Sequence, residues 1–265
     1  MIIAQITDTH LVAANAADPM FNARTENLRA CVADINGLDP KPNAVIHTGD
    51  MTQHGKAAEF AHARSLLANL EAPLYVTPGN RDGRAEMARA FANDGYLLSD
   101  CAFAHYAVEI HPVRLVAVDS LSDDGSAKGD LCDARLAMLD ATLAEAPARP
   151  TALFMHHPPF DVSAAPDPFA YQHRKAVAGL IAVVLRHPQV VRIFTGHMHR
   201  PWTATVGGVA ASTVPSVAVD RRYGPYAAAM EGRPVYQVHR FEGDGGFVSQ
   251  TRLPASGLQS SDSCS

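Results

Sequence analysis

IIAQITDTH, residues 2–10, is an apolar run that stops abruptly at Asp8-Thr9-His10. Its β-branched, alternating start predicts a strand over Ile2–Thr7, and the residues that end it are of types that hold metal ions. Four later runs end in the same way. Ala44–His47 predicts a strand that closes on His47-Thr48-Gly49-Asp50. Leu74–Thr77 predicts a third, followed by Pro78-Gly79-Asn80-Arg81-Asp82. Thr151–Met155 leads into His156-His157-Pro158-Pro159, and Val190–Phe194 into Gly196-His197-Met198-His199. A spacing of two, in Asp8/His10 and His197/His199, puts both side chains on one side of an extended backbone. Gly49, Gly79 and Gly196 each precede a candidate ligand, which predicts positive φ or close backbone approach in converging loops.

Between these runs lie helical patterns at Thr25–Leu38, Lys56–Leu70, a short stretch after Gly83, Asp133–Glu145 and His173–Arg186. Phe103–Ile110 and Val113–Asp119 predict a hairpin around Pro112. From Pro201 onward the pattern is β, with a turn at Gly207–Gly208 and a pair at Val235–Phe241 and Phe247–Arg252 around Gly243–Gly246. Strand–helix alternation followed by strands predicts an α/β sandwich with helices on its outer faces. Ligands in such folds sit outside the carboxyl ends of the strands, where the polar clusters fall. Residues 1–254 read as a single domain. Within it, 200–254 form a β-rich C-terminal part serving as a cap or dimer contact, and the Ser-rich 255–265 form a flexible tail.

The chain has 265 residues, 47% apolar and 18% charged, enough for a sizeable core. With 22 basic and 27 acidic residues the net charge is −5, which argues against a broad basic surface for a nucleic acid polymer. It leaves room for a small phosphate ligand. The four cysteines, Cys31, Cys101, Cys132 and Cys264, form no CxxC pair and read as reduced and structural. The first residues have no basic n-region, and no segment reaches the roughly 20 apolar residues of a membrane helix. A cytoplasmic protein without membrane contact is the expectation.

Carboxylate and imidazole donors together suit manganese, iron or zinc rather than calcium. Asp8, His10, Asp50, Asn80, His156, His197 and His199 are too many for one four-coordinate ion and suit two ions that share a bridge. Two-metal hydrolases hold their ions roughly 3.5–4 Å apart and clamp the attacking and leaving oxygens. Two divalent ions against two aspartates leave positive charge that would attract an anionic phosphate. Alone, a DxH, a Gly-Asp or an HxH is an ordinary loop feature. All five elements occur here in order, each at the end of a strand-like run.

This ordered set, from Asp8 to His199, resembles that of the calcineurin-like metallophosphoesterases over about three quarters of the chain. It is most similar to the bacterial branch of class III cyclic-nucleotide phosphodiesterases and glycerophosphodiesterases. The form of His156-His157-Pro158-Pro159 and the segment PVYQVHRF add to that placement. The resemblance implies a four-layer αββα sandwich with a dinuclear centre. Asp8, His10, Asp50 and His199 would hold one ion, and Asp50, Asn80, His156 and His197 the other, with Asp50 bridging. A metal-bound hydroxide would attack phosphorus in line with the leaving oxygen of a small phosphodiester. Relatives often pair through the C-terminal region, so the resemblance also implies a homodimer.

One position departs from the family pattern. Where the family has histidine after Gly-Asn, this chain has Arg81. An arginine gives up no proton at neutral pH, yet it grips phosphate oxygens bidentately. The expected roles are therefore bridge for Asp50, charge stabilisation for Arg81, and substrate contact for Asn80, Arg81, His54 and His157. His157 also reads as a structural partner of the ligands. Arg221, Arg222 and Tyr223 could contact substrate or a partner subunit, while Trp202 reads as packing. A phosphomonoesterase or nucleotide-pyrophosphate hydrolase of the same fold is the rival enzyme reading. The rival from another class is a metal-binding module without turnover, with Arg81 as the mark of lost activity.

Overall fold

The computed structural model describes residues 1–254 except Ala16, 98–101, His111, Tyr223, Pro225 and 244–245. Eleven strands build two mixed sheets among the described residues. The first sheet has the order β11 (Phe247–Arg252), β10 (Tyr236–Phe241), β1 (Ile2–Ile6), β2 (Ala44–His47) and β3 (Leu74–Val76). The second runs β4 (Tyr106–Glu109), β5 (Arg114–Ala117), β6 (Thr151–Phe154), β7 (Val190–Thr195), β9 (Val209–Thr213) and β8 (Trp202–Val206). β1, β2 and β3 are parallel, as are β5, β6, β7 and β9. Each sheet therefore points a set of carboxyl ends at the same loops.

Side-chain alternation divides the molecule into layers. Ala4, Ile6 and Val45 face α1 (Pro19–Asn36), α2 (Ala57–Leu67) and α3 (Arg84–Phe91) through Leu28, Ile35, Phe60 and Met87. Val116, Leu153 and Ile193 face α4 (Asp133–Ala144) and α5 (Arg174–Arg186) through Leu139, Leu143 and Leu180. The alternate residues Ile3, Ile46, Leu115, Phe154 and Phe194 meet between the sheets. The result is the expected αββα order, set by the period of two in each strand.

Several boundaries move. The first helix begins six residues earlier than Thr25, because Asp18 accepts from the Met20 amide at 2.9 Å and Pro19 opens the first turn. Phe103–His105 stay outside β4, which is only four residues long. The strands of the C-terminal part join the two sheets. Its strands β8 and β9 extend one sheet and β10 and β11 the other, so it is woven into the sandwich. Cys31 and Cys132 are free thiols, and burial pushes the Cys31 thiol up. Cys101, Tyr223 and the tail 255–265 with Cys264 lie outside the described residues. None of the described helices is long and apolar enough to cross a membrane.

Candidate metal centre

The loops after β1, β2, β3, β6 and β7 meet at one end of the sandwich. Backbone hydrogen bonds lace them together: Asp8 N to Gly49 O (3.0 Å), His10 N to Asp50 O (3.0 Å) and Gly196 N to His156 O (3.0 Å). Asp8, His10, Asp50, His197 and His199 all carry positive φ, between 46° and 68°. Left-handed backbone is unusual for residues other than glycine and costs roughly 1–3 kcal/mol at each position. The expectation of an extended backbone at the two spaced pairs is thus wrong. These residues lie beyond the strand ends and turn inward by backbone reversal. The glycines meet the expectation in two ways. Only Gly49 among the three takes positive φ; a Cβ on Gly79 would collide with the amide and carboxylate of Asp50, and one on Gly196 with Thr7 Oγ1 and Asp8 Oδ2.

The donors gather in two groups. Asp8, His10, Asp50 and His199 each offer an atom within 4.8 Å of the others, and all four are buried. His10 Nε2 and His199 Nε2 stand 3.2 Å apart; His199 Nε2 is 3.2 Å from Asp8 Oδ1, and His10 Nε2 is 3.6 Å from Asp50 Oδ2. Asp50 Oδ1 reaches the other way, 3.5 Å from His156 Nε2. His156 Nε2 and His197 Nδ1 lie 3.2 and 3.0 Å from Asn80 Oδ1, and 3.2 Å from each other. Asp50 is thus the carboxylate that touches both groups. Donors about 2.0–2.2 Å from one ion stand roughly 3–3.5 Å apart, so these spacings fit a metal.

Two imidazoles have their outer nitrogens occupied. His156 Nδ1 donates to Thr48 O at 2.8 Å and His199 Nδ1 to Arg221 O at 2.7 Å, which turns each Nε2 toward the centre. Asp8 Oδ2 accepts from Thr7 Oγ1 (2.7 Å) and the His197 amide (3.1 Å), whereas Asp8 Oδ1 is buried without a well-formed hydrogen bond. The charges show the same want. Burial alone would raise Asp8, but His199, His156 and His10 hold its carboxyl far below the usual carboxylate range. His199 is raised by Asp8 in spite of its burial. Burial, aided by Asp8 and Asp82, pushes Asp50 up to about 7 against the pull of His156 and the Arg81 amide. Burial sends His10 and His197 well below the usual imidazole range. Lone pairs and carboxylates crowded into dry space are short of positive charge, and a cation supplies it.

The remaining candidates part company. Asn80 is half-buried beside the second group, and Arg81 is exposed next to it. The Arg81 amide donates to Asp50 Oδ1 at 2.7 Å, but its guanidinium makes no hydrogen bond or ion pair among the described residues. Asp82 does not pair with it. That buried carboxylate accepts from the amides of Met51, Thr52 and Gly79 and from Thr52 Oγ1, at 2.8–3.1 Å. The His54 side chain is 56% exposed, with Nδ1 at 2.7 Å from Glu59 Oε1. His157 stands with His156 and His197 in a group of imidazoles that could hold a metal ion. It lies close to His156 and His197, but Ser120 Oγ occupies its Nδ1 (2.9 Å) and its Nε2 donates to Ala127 O (3.2 Å). It is fully buried, and its ring lies 4.6 Å from that of His197. Arg222 is likewise committed, to the carbonyls of Ser216, Met230 and Arg233. Thr48 O and Arg221 O escaped the sequence reading because a carbonyl acceptor has no residue signature. Thr7 was missed as well, although a hydroxyl directly before Asp8 is a readable signal.

The calcineurin-like phosphoesterase family model matches residues 1–201. The glycerophosphodiester phosphodiesterase GpdQ of Enterobacter lignolyticus is 39% identical over 205 residues, which cover 75% of this chain and 71% of that protein. A probable cyclic nucleotide phosphodiesterase of Rhodopseudomonas palustris is 35% identical over 77% of this chain and 73% of its own. In fold, a dimetal phosphatase from Danio rerio superposes with a TM-score of 0.69 at 14% identity, covering 96% of each chain. Five loops that bring acidic and imidazole donors to one end of an αββα sandwich, in a chain matched over three quarters of its length, make this protein a member of the calcineurin-like phosphoesterase family.

Proposed function

We propose that the chain is a metal-dependent hydrolase of small phosphodiesters, of the glycerophosphodiester or cyclic nucleotide kind. On this reading Asp8, His10, Asp50 and His199 hold one ion and Asp50, Asn80, His156 and His197 a second, the ions being manganese, iron or zinc. The observation that carries it is Asp50, whose two oxygens face the two donor groups at 3.6 and 3.5 Å. The names of the Enterobacter and Rhodopseudomonas relatives support the choice of diesters.

When bound, such ions supply Lewis acidity and lower the pKa of water enough to give a nucleophile at neutral pH. The chain's own groups do the rest. Arg81, exposed beside Asn80 and with its guanidinium unpaired among the described residues, would grip the phosphoryl oxygens as charge shifts toward them. Asp82 fixes the loop that carries both. His54, exposed and oriented by the buried Glu59, would contact the substituent of a diester.

The test is a rate comparison on one metal-analysed sample, with a glycerophosphodiester, 3′,5′-cyclic AMP and an aryl phosphomonoester. One of the diesters should be turned over fastest. Preference for the monoester would replace this reading by the phosphomonoesterase one. Asp50→Ala should lose bound metal and at least about 10²-fold in rate; the exposed Lys175→Ala serves as control. Unchanged metal content and rate in the Asp50 variant would refute the shared bridge.

A further inference from the structure

The space between the two sheets is apolar on one flank and polar on the other. Along β7 the inward residues are Arg192 and Phe194, and along β10 they are Gln237, His239 and Phe241. Near the edge strands β8 and β11, Arg192 and Gln237 line a cavity of about 620 Å³, with Trp202 and Phe247 as aromatic walls and Ser212 among its hydroxyls. The cavity lies outside the residues assigned to the metal centre.

Arg192 is the anomaly. It is 7% exposed, and among the described residues no carboxylate pairs with it and no acidic side chain lines the cavity. Its one protein acceptor is the neutral Ser212 Oγ at 2.7 Å, while its Nε is buried without a partner. The guanidinium lies 5.3 Å from the Phe194 ring, a contact that offers it only a quadrupole. The nearby His239 brings no negative charge, since its Nε2 donates to Gln5 Oε1 and its Nδ1 accepts from Ser249 Oγ. Burial pulls Arg192 down, with no anion to oppose it. A fork of N–H donors sunk in an apolar setting without a counter-charge is matched to a planar or tetrahedral oxyanion.

We propose that this cavity binds a small organic anion, a carboxylate or phosphate carried on a flat apolar body, with Arg192 as its charge partner and Trp202 and Phe247 against its body. The chain's single tryptophan is Trp202, so its fluorescence reports on the cavity.

The experiment titrates the metal-loaded protein with benzoate, with phenylphosphonate and with the uncharged benzamide, and follows Trp202 emission. At least one anion should give a saturable change that benzamide does not. The stronger of benzoate and phenylphosphonate names the oxyanion. In Arg192→Gln the apparent Kd for that anion should rise at least tenfold and in Arg192→Lys by less, while diester turnover without added anion stays within twofold of wild type in both. Should the glutamine variant fail to fold, the wild-type contrast of anion with benzamide decides. No saturable change, equal curves for benzoate and benzamide, or an unaltered Kd in Arg192→Gln would each overturn the proposal and leave Arg192 as a packed cation over Phe194.

Discussion

Arg81 is the residue whose chemistry differs most from the family pattern, and its surroundings leave it idle within the protein. Its neighbour Asp82 is engaged by three amides and a hydroxyl, and among the described residues no internal partner competes for the guanidinium. Two effects compete at this position. A missing proton donor hurts poor alkoxide leaving groups, and general acid help is typically worth about 10²–10⁴-fold. A fixed cation stabilises charge on the phosphoryl oxygens whatever group departs. For an aryl leaving group only the second effect remains. Arg81→Ala should therefore slow matched aryl and alkyl diesters by similar factors, and Arg81→His should favour the alkyl diester relative to the aryl one. The quantity to measure is kcat/KM for the pair in wild type and both variants. Unchanged rates in Arg81→Ala would mean that the side chain faces solvent only. Collapse of alkyl turnover alone would mean that it assists the leaving group after all.

At the scale of elements, the strands that lead to the donors were readable from the sequence, because each is apolar and ends in a sharp polar break. Ala44–His47 agrees to the residue. The start of the first helix was misplaced because Asp18-Pro19 was passed over, although a capping acid before proline is a local signal. How the donors converge was not readable. It depends on left-handed backbone at Asp8, His10, Asp50, His197 and His199, which nothing in their side chains announces. The hydrogen bonds of His157 were not readable for a similar reason, since its partners Ser120 and Ala127 are 37 and 30 residues away. The loops after β2 and β3 are tied by Asp82, which holds amides on both. Asp82→Ala should loosen Asp50 and Asn80 together. We expect lower metal occupancy and about 10–100-fold slower turnover, as for other groups that orient metal ligands. Full occupancy at the wild-type rate would show that the backbone bonds between the loops suffice.

For the whole molecule, buried neutral imidazoles set the response to acid. Burial pushes His47 down to about 3 and His105 to about 4. An unfolded imidazole takes up its proton near 6.5, so below that value the unfolded chain binds more protons than the folded one. Stability held above pH 6.5 should fall as pH drops toward about 4, by roughly 1.4 kcal/mol per pH unit for each histidine. Urea midpoints from pH 7.5 to 4.5 measure this, and His105→Asn should flatten the slope. An unchanged midpoint across that range would contradict it. The order of the first sheet carries a different consequence, for biosynthesis. β1 leaves the ribosome before the rest of its sheet, yet it sits between β2 and β10, a neighbour more than 230 residues downstream. All seven candidate donors have been translated by His199, when β1 still has a bare edge and β7 still lacks β9. A nascent chain at that stage has the means to catch metal before it has the frame to hold it. A fragment ending at residue 201 should therefore remain open to protease and aggregate. Synthesis past Phe241 should close the sheet, which limited proteolysis of stalled chains of increasing length would time.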